Sequence, residues 1–302
     1  MPKPPAPLSV DRLRPLSLDP GSHPRGQAHL SAASGLVCTF GRAYVIGDDE
    51  HHFAMFRDRA SPGELVRVVA GDLPAAKAAR KKRKPDFETL LWLPGDAQLL
   101  TLGSGSRRQR DRGVAIGISA NGTPHADARP FDLAPLYEPL RARLGSINIE
   151  GAMVLDDRLM LLQRGHAGAS ANLAIDYRLS DMRGVVAGQV SVLHPQSMQA
   201  YELGHIDGVP LAFTDGTALP GGGWAFTAVA EASDDSYADG PFRGSAVGVV
   251  ATDGTLQLLR RLAAPDKVEG IAARADAHGN AIFMVTDADD PAQASWLLSA
   301  RL

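Results

Sequence analysis

The sequence has a single cysteine, Cys38, so no intrachain disulfide can form. Cys38 lies in an apolar run and reads as inert core. Aromatic residues are only 6% of the chain, and none interleaves with its one basic run, KAARKKRK (77–84), as a stacking platform for nucleic-acid bases requires. Neither charge dominates: 31 Lys plus Arg against 34 Asp plus Glu leaves −3, too little to drive the chain onto nucleic acid or an anionic membrane. No apolar run approaches the ~18 residues of a membrane span. The first ten residues, MPKPPAPLSV, lack the apolar core of a signal peptide. The expectation is a soluble, cytoplasmic protein without nucleic-acid or membrane partners; its oligomeric state is not legible.

Several chemical signatures are also missing. There is no G-x-S-x-G elbow for a serine nucleophile. GSGSRR fits neither the phosphate loop nor the dinucleotide fingerprint. There is no H-E-x-x-H, and no Cys/His cluster of the kind zinc prefers. DADDP lacks the later Gly and Glu of an EF-hand loop.

Gly (31) and Pro (21) are plentiful and spread along the chain. They break it into apolar runs of five to eight residues, an all-β pattern. The best helical candidate is 134–144, APLYEPLRARL, which carries Pro139.

One unit recurs five times. A polar residue opens an apolar strand; a turn, a second apolar strand and a polar loop follow. The openings are Ser34, Glu88, Glu150, Asp215 and Glu269, spaced by 54, 62, 65 and 54 residues. Two further strand candidates follow in most units, such as HFAMFR and LVRVVA after Ser34. The last unit is short, ending in SWLLSARL, and the N-terminal LSVDRLRPLSL is a strand without a unit. The pattern predicts a single domain over 8–302: a five-bladed β-propeller closed by the N-terminal strand completing the last blade, with 1–7 a flexible lead-in. The alternatives are unrelated hairpins in a sandwich or two small β domains, or a sixth blade within 166–209.

In a propeller the first strand of each blade lines the central channel, so the five openings form one ring at one end. Four of the five are carboxylates. Two unit charges ~4 Å apart repel by about 4 kcal/mol at an effective dielectric near 20, so such a ring must take up protons or cations. A hard divalent ion, Ca²⁺ or Mg²⁺, suits oxygen donors, and Ser34, Glu88, Glu150, Asp215 and Glu269 are its expected ligands. The opposing reading is that each acidic residue merely holds a turn before glycine.

The loops after the second strands fall on the same face. They bring Asp48, Asp49, His51 and His52; Ser104, Ser106, Arg107 and Arg108; Arg164, His166 and Asn172; Glu231, Asp234 and Asp235; and Asp287, Asp289 and Asp290. The run 77–84 enters there too, as a solvated loop or an anion-binding one, and His51-His52 reads as a solvent-edge pair. Arginines beside a cation suit a small anionic ligand or substrate.

The segments NIEGAMVLDDRLMLLQRG and KVEGIAARADAHGNAIFMVTDADD resemble the blade openings of the esterase-like phytase propellers. The five-unit order, SGLVCTFGRAYVIGDDEHH and LYEPLRARLGSINIEG resemble the calcium-activated nucleotidases (apyrases) more closely. That resemblance implies an axial calcium with Ser34, Glu88, Glu150 and Glu269 at ligand positions, Asp215 standing where the family has serine. It also places Asp48 and Asp49 at a family aspartate pair. Two functions follow as expectations. One is cation-dependent hydrolysis of phosphate esters or anhydrides, with Asp48, Asp49 or Asp287 positioning water and Arg107, Arg108, Arg164 and His166 meeting the substrate. The other is a non-catalytic propeller that binds a protein or small anion on its charged face.

Overall fold

The computed structural model describes residues 5–165, 171–232, 240–277, 279–287 and 289–302. Five antiparallel sheets succeed one another along the chain. Blade I comprises Ala33–Thr39, Arg42–Gly47, His52–Phe56 and Glu64–Arg67. Blade II comprises Phe87–Leu93, Gln98–Gly103, Arg112–Gly117 and Arg129–Asp132. Blade III comprises Ile149–Leu155, Arg158–Gln163, Asn172–Arg178 and Ser197–Tyr201. Blade IV comprises Val209–Ala218, Trp224–Glu231, Phe242–Val250 and Leu256–Arg261, with the two-residue strand His205–Ile206 beside the first. Blade V comprises Val268–Asp276, Gly279–Thr286 and Trp296–Arg301, and its outer strand is Asp11–Pro15 from the N-terminus.

This is the expected five-bladed propeller with the expected closure. Asp11 faces Ser299 and Pro15 faces Trp296 in the closing pair. Leu8 is buried beside Leu262, and the carbonyls of Ala6 and Pro7 accept from Arg260 at 2.9 and 3.0 Å. The closing pair covers the edge that Trp296–Arg301 would otherwise leave open.

The inner strands pack closely against one another because glycine stands where they approach. A Cβ on Gly35 would lie 2.6 Å from the Leu90 amide nitrogen of blade II, and one on Gly151 would lie 2.9 Å from Asp215 Cα of blade IV. The cores lie between blades; between blades III and IV, for example, Phe213 meets Phe226 edge to face and both rings meet Trp224 at a tilt. The expected helix forms at Ala134–Leu144 with Pro139 inside it. A second, Leu179–Val186, packs Leu179, Met182 and Val185 against the same core as Leu136, Tyr137 and Leu140. No helix among the described residues is long and apolar enough to cross a membrane.

Each inner strand carries one extra residue, near its start in blades I, II, III and V and midway along Val209–Ala218 in blade IV. The register slips between Ala33 and Gly35, Phe87 and Thr89, Ile149 and Gly151, Phe213 and Asp215, and Val268 and Gly270. A bulge lets one residue leave the ladder and re-aims its side chain. The bulged residues are therefore Ser34, Glu88, Glu150, Thr214 and Glu269. The fourth opening is corrected by one position: Asp215 occupies the place that Gly35, Gly151 and Gly270 hold elsewhere.

Candidate functional site

At the bulged end of the channel lies a cavity of about 890 Å³. Among the described residues, eleven carboxylates and seven Lys or Arg side chains line it, so it carries an acidic excess. Ser34, Glu88, Glu150 and Glu269 all open into it. So do the residues two positions before each bulge: Ala32, Asp86, Asn148, Ala212 and Lys267. Strand side chains alternate, so a residue and its second neighbour share a face.

Asp215 does not join this ring. It is buried, its Oδ2 accepts the Ile271 amide of blade V at 3.0 Å, and it lies outside the cavity lining. Burial holds its carboxyl well above the usual carboxylate range despite the amides of Ile271, Gly216 and Ala152. Thr214, its neighbour at the bulge, bonds Thr227 Oγ1 at 2.9 Å and the Val268 carbonyl at 3.0 Å. Blade IV thus contributes no ring carboxylate.

The remaining acids fall into two groups, each holding resident cations. On the side of blades I and II, Asp48, Asp86 and Glu88 bring one carboxylate oxygen each within 4.8 Å of one another. Lys84 makes a close ion pair with Asp48 and lies 2.8 Å from Asp86 Oδ1. Arg110 holds Asp86 Oδ2 at 2.7 Å, where the Ser104 hydroxyl also donates. Glu88 accepts no hydrogen bond among the described residues. Burial and the charges of Asp86, Glu150 and Asp48 raise it well above the ordinary range. Burial pushes Asp48 up to about 6 against the pull of Lys84. Ser34 is only 5% exposed, yet it faces the cavity and its hydroxyl has no hydrogen-bond partner among the described residues.

On the side of blades III to V, Arg164 donates to Glu231 at 2.8 Å and lies 3.4 Å from Glu150. Lys267 reaches Asp289 at 2.9 Å and both Glu231 and Glu269 at 3.5 Å. Asn148 donates to Glu150 at 2.5 Å. Burial lifts Glu269 to about 7 even beside Lys267 and Arg164, and holds Asp287 well above its usual value. Tyr201, Leu203, Pro210 and Leu211, from the passage between blades III and IV, add an apolar wall.

The basic run is a structured strap. Lys77–Lys81 is a short helix over the cavity mouth. Its Arg80 donates to Asp49 Oδ2 at 2.7 Å and to the carbonyls of Pro74 and Ala75 at 3.2 and 2.7 Å.

Of the expected site residues, the cavity thus gathers Ser34, Asp48, Asp49, Glu88, Glu150, Arg164, Glu269 and Asp287. Arg107 and Arg108 are not brought into it: both are exposed and outside the lining, and Arg108 pairs with Glu138. His166, Asp234 and Asp235 fall outside the described residues. His52 is buried in blade I rather than at the solvent edge, and burial lowers its pKa to about 4. Cys38 is half-buried and burial pushes its thiol up to about 12, consistent with an inert role.

Asp86, Arg110, Lys84 and Lys267 are site residues that the blade-opening pattern did not single out. The signal for Asp86 and Lys267 was present, two residues before Glu88 and Glu269, where strand alternation returns a side chain to the same face.

Fold and cavity together define a five-bladed β-propeller with a carboxylate-rich chamber at one end of its axis. The chain belongs to a family of unknown function, DUF6929, whose model matches residues 29–302. No curated protein matches its sequence. Among solved structures, it is similar to one from the GH130 family of mannoside phosphorylases, which contains glycoside hydrolases that target β-1,2 mannosidic linkages in Candida mannan. The TM-score is 0.53 at 10% identity, covering 98% of this chain and 94% of that one. Regucalcin from Agrobacterium tumefaciens, a calcium-binding protein, aligns with a TM-score of 0.48 at 9% identity over 98% and 95% of the two chains. A putative gluconolactonase aligns with a TM-score of 0.43 at 13% identity over 98% and 93%. At such identities the likeness concerns the fold, which does not carry a function with it.

Proposed function

We propose that this protein is a divalent-cation-dependent hydrolase of phosphate esters or anhydrides, with Ca²⁺ or Mg²⁺ held by Asp48, Asp86 and Glu88. The observation that carries this reading is the convergence of those three carboxylates within 4.8 Å on a cavity large enough for a substrate. The donor set fits a hard cation. All three are oxygen ligands, Glu88 accepts no hydrogen bond among the described residues, and the Ser34 hydroxyl opens into the same cavity. Arg110 offsets one of the three negative charges and Lys84 a second, so a divalent ion that displaces the lysine ammonium meets two charges, which match it.

When bound, the cation supplies a Lewis acid that polarises a substrate oxygen. Across the cavity, Arg164 and Lys267 supply positive charge for an anionic group in place of the expected Arg107 and Arg108. Glu269, titrating near neutrality, is the best placed proton donor or acceptor. Asp49 is engaged by Arg80 and holds the strap. The wall of Tyr201, Leu203, Pro210 and Leu211 suits an apolar portion of the substrate. The resemblance of the blade openings to the calcium-activated nucleotidases points the same way.

A second reading has its own observation: every basic side chain named in the two acidic groups is already engaged by a carboxylate. That favours an ion-stabilised binding module. Phosphate release from nucleotides, phytate and simple phosphate monoesters, with Ca²⁺, Mg²⁺ or EDTA, separates the two. Ion-dependent release that falls at least 100-fold in Glu88→Gln supports the hydrolase. One bound ion without release from any substrate leaves the binding module.

A further inference from the structure

Lys84 engages two of the three carboxylates of the candidate ion site. Its ammonium makes its closest contact with Asp48 Oδ2 and lies 2.8 Å from Asp86 Oδ1. These two carboxylates and Glu88 are the same group whose oxygens converge within 4.8 Å. A Ca²⁺ ion takes carboxylate oxygens at about 2.3–2.6 Å. An ammonium nitrogen cannot sit among those oxygens at the same time without meeting the ion at repulsive distance. The two occupants exclude each other.

We propose that Lys84 is a built-in competitor for the divalent cation: its ammonium and the ion contend for Asp48, Asp86 and Glu88, and Lys84 sets the affinity of the site. The proposal rests on the cation reading above and adds a residue that opposes binding rather than assisting it.

Charge and geometry both permit the exchange. After Arg110 has offset one carboxylate, Lys84 can neutralise only one of the two remaining charges, whereas a divalent ion neutralises both. The lysine stem is long and flexible, with the charge at its tip. The backbone beneath it has separate anchors: the Lys84 amide donates to the Arg80 carbonyl at 2.8 Å, and Arg80 is fixed on Asp49. The side chain can therefore leave while the strap stays docked. Lys84 also borders a neighbouring cleft of about 400 Å³, where Asp72 is the one carboxylate among His51, Lys82, Arg83 and Arg112; the cleft offers the side chain a way out but no second acidic chamber to hold it.

The test is Ca²⁺ and Mg²⁺ titration calorimetry on the full chain, comparing wild type, Lys84→Met and Lys84→Arg. Removing the competitor is expected to tighten binding at least tenfold in Lys84→Met, while Lys84→Arg, which keeps the charge, binds no tighter than wild type. A Lys84→Met protein that binds the ion equally or more weakly overturns the proposal while leaving the cation reading intact. If neither wild type nor Lys84→Met binds either ion, both fall. If Lys84→Met binds and wild type does not, the competitor role stands and the cation is removed from the natural protein. Because Lys84→Met leaves carboxylates unbalanced and can fail to fold, a second measurement uses wild type alone. Lys84 is labelled with acetic anhydride and followed by mass spectrometry. Its labelling should rise severalfold when saturating Ca²⁺ is present. Unchanged labelling, with calorimetry showing the ion bound, overturns the proposal.

Discussion

Arg80 Nε donates to Asp49 Oδ2 at 2.7 Å, and both side chains are largely shielded from solvent. This bond ties the basic strap to the loop after the second strand of blade I. Breaking a shielded pair by removing one partner typically costs about 3–5 kcal/mol, because the other charge is left uncompensated. Arg80→Ala should therefore lower stability in urea by roughly 3 kcal/mol. It should also speed tryptic cleavage within 77–84, read by mass spectrometry. Unchanged cleavage would show that the strap is held by something else.

Asp215 and Glu88 have opposite parts to play. Asp215 caps the Ile271 amide between blades IV and V, so Asp215→Ala leaves a buried donor unpaired, at a cost of about 1–3 kcal/mol. Ion affinity should stay within twofold of wild type. Glu88→Gln should do the reverse, weakening Ca²⁺ at least tenfold and leaving the cation-free melting temperature equal or higher, since it removes a buried like charge. Calorimetry and thermal melting on the two variants check this. Loss of ion binding in Asp215→Ala alone would restore it to the ring.

Glu269 should impose a pH dependence on stability. Its carboxyl rises from an ordinary value of 4.5 to about 7 on folding, chiefly through burial. A carboxyl that holds its proton more tightly when folded contributes its stability in full below the unfolded value. It loses that stability as the pH rises through the folded one. Wild type should accordingly lose stability relative to Glu269→Gln between about pH 5 and pH 7.5. His52 acts in the opposite sense, losing stability as the pH falls from 6.5 towards about 4. It does so equally in both proteins and cancels in the difference. Melting curves at half-unit pH steps in EDTA measure the effect, and parallel profiles would contradict it.

The N-terminal closure should be indispensable. Removing residues 1–15 strips blade V of its outer strand and exposes the edge at Trp296–Arg301. Such an edge invites pairing with another chain. The truncated protein should lose its cooperative melting transition or self-associate in sedimentation. A monomer with an unaltered transition would refute this.

Much of this architecture was legible because propeller blades repeat a local pattern. A polar residue, a small one and a run of apolar ones mark each inner strand, and Ser34, Glu88, Glu150 and Glu269 hold equivalent positions there as the repeat implied, although the bulges that place them are seen only in the ladder register. Asp215 misled because Asp-Gly imitates Glu-Gly at one residue's offset, and only the ladder register separates them. The basic run 77–84 revealed charge but not its partners, since Asp48 and Asp49 lie some thirty residues away and meet it only in the folded chain. Arg107 and Arg108 were on an expected loop, yet it was Arg110, a little further on, that turned inward. Pairing between neighbouring blades, as between Arg164 of blade III and Glu231 of blade IV, is a property of the packed blades that no single blade encodes.

Closure by Asp11–Pro15 also has a consequence in time. Its partner, Trp296–Arg301, is made about 280 residues later. At about 5–20 residues per second, roughly 15–60 s pass between the two during synthesis. Throughout that interval the first strand must remain unpaired and blades I to IV must form an open arc. A chain that stops before Trp296–Arg301 is made lacks the partner of Asp11–Pro15, so blade V cannot close.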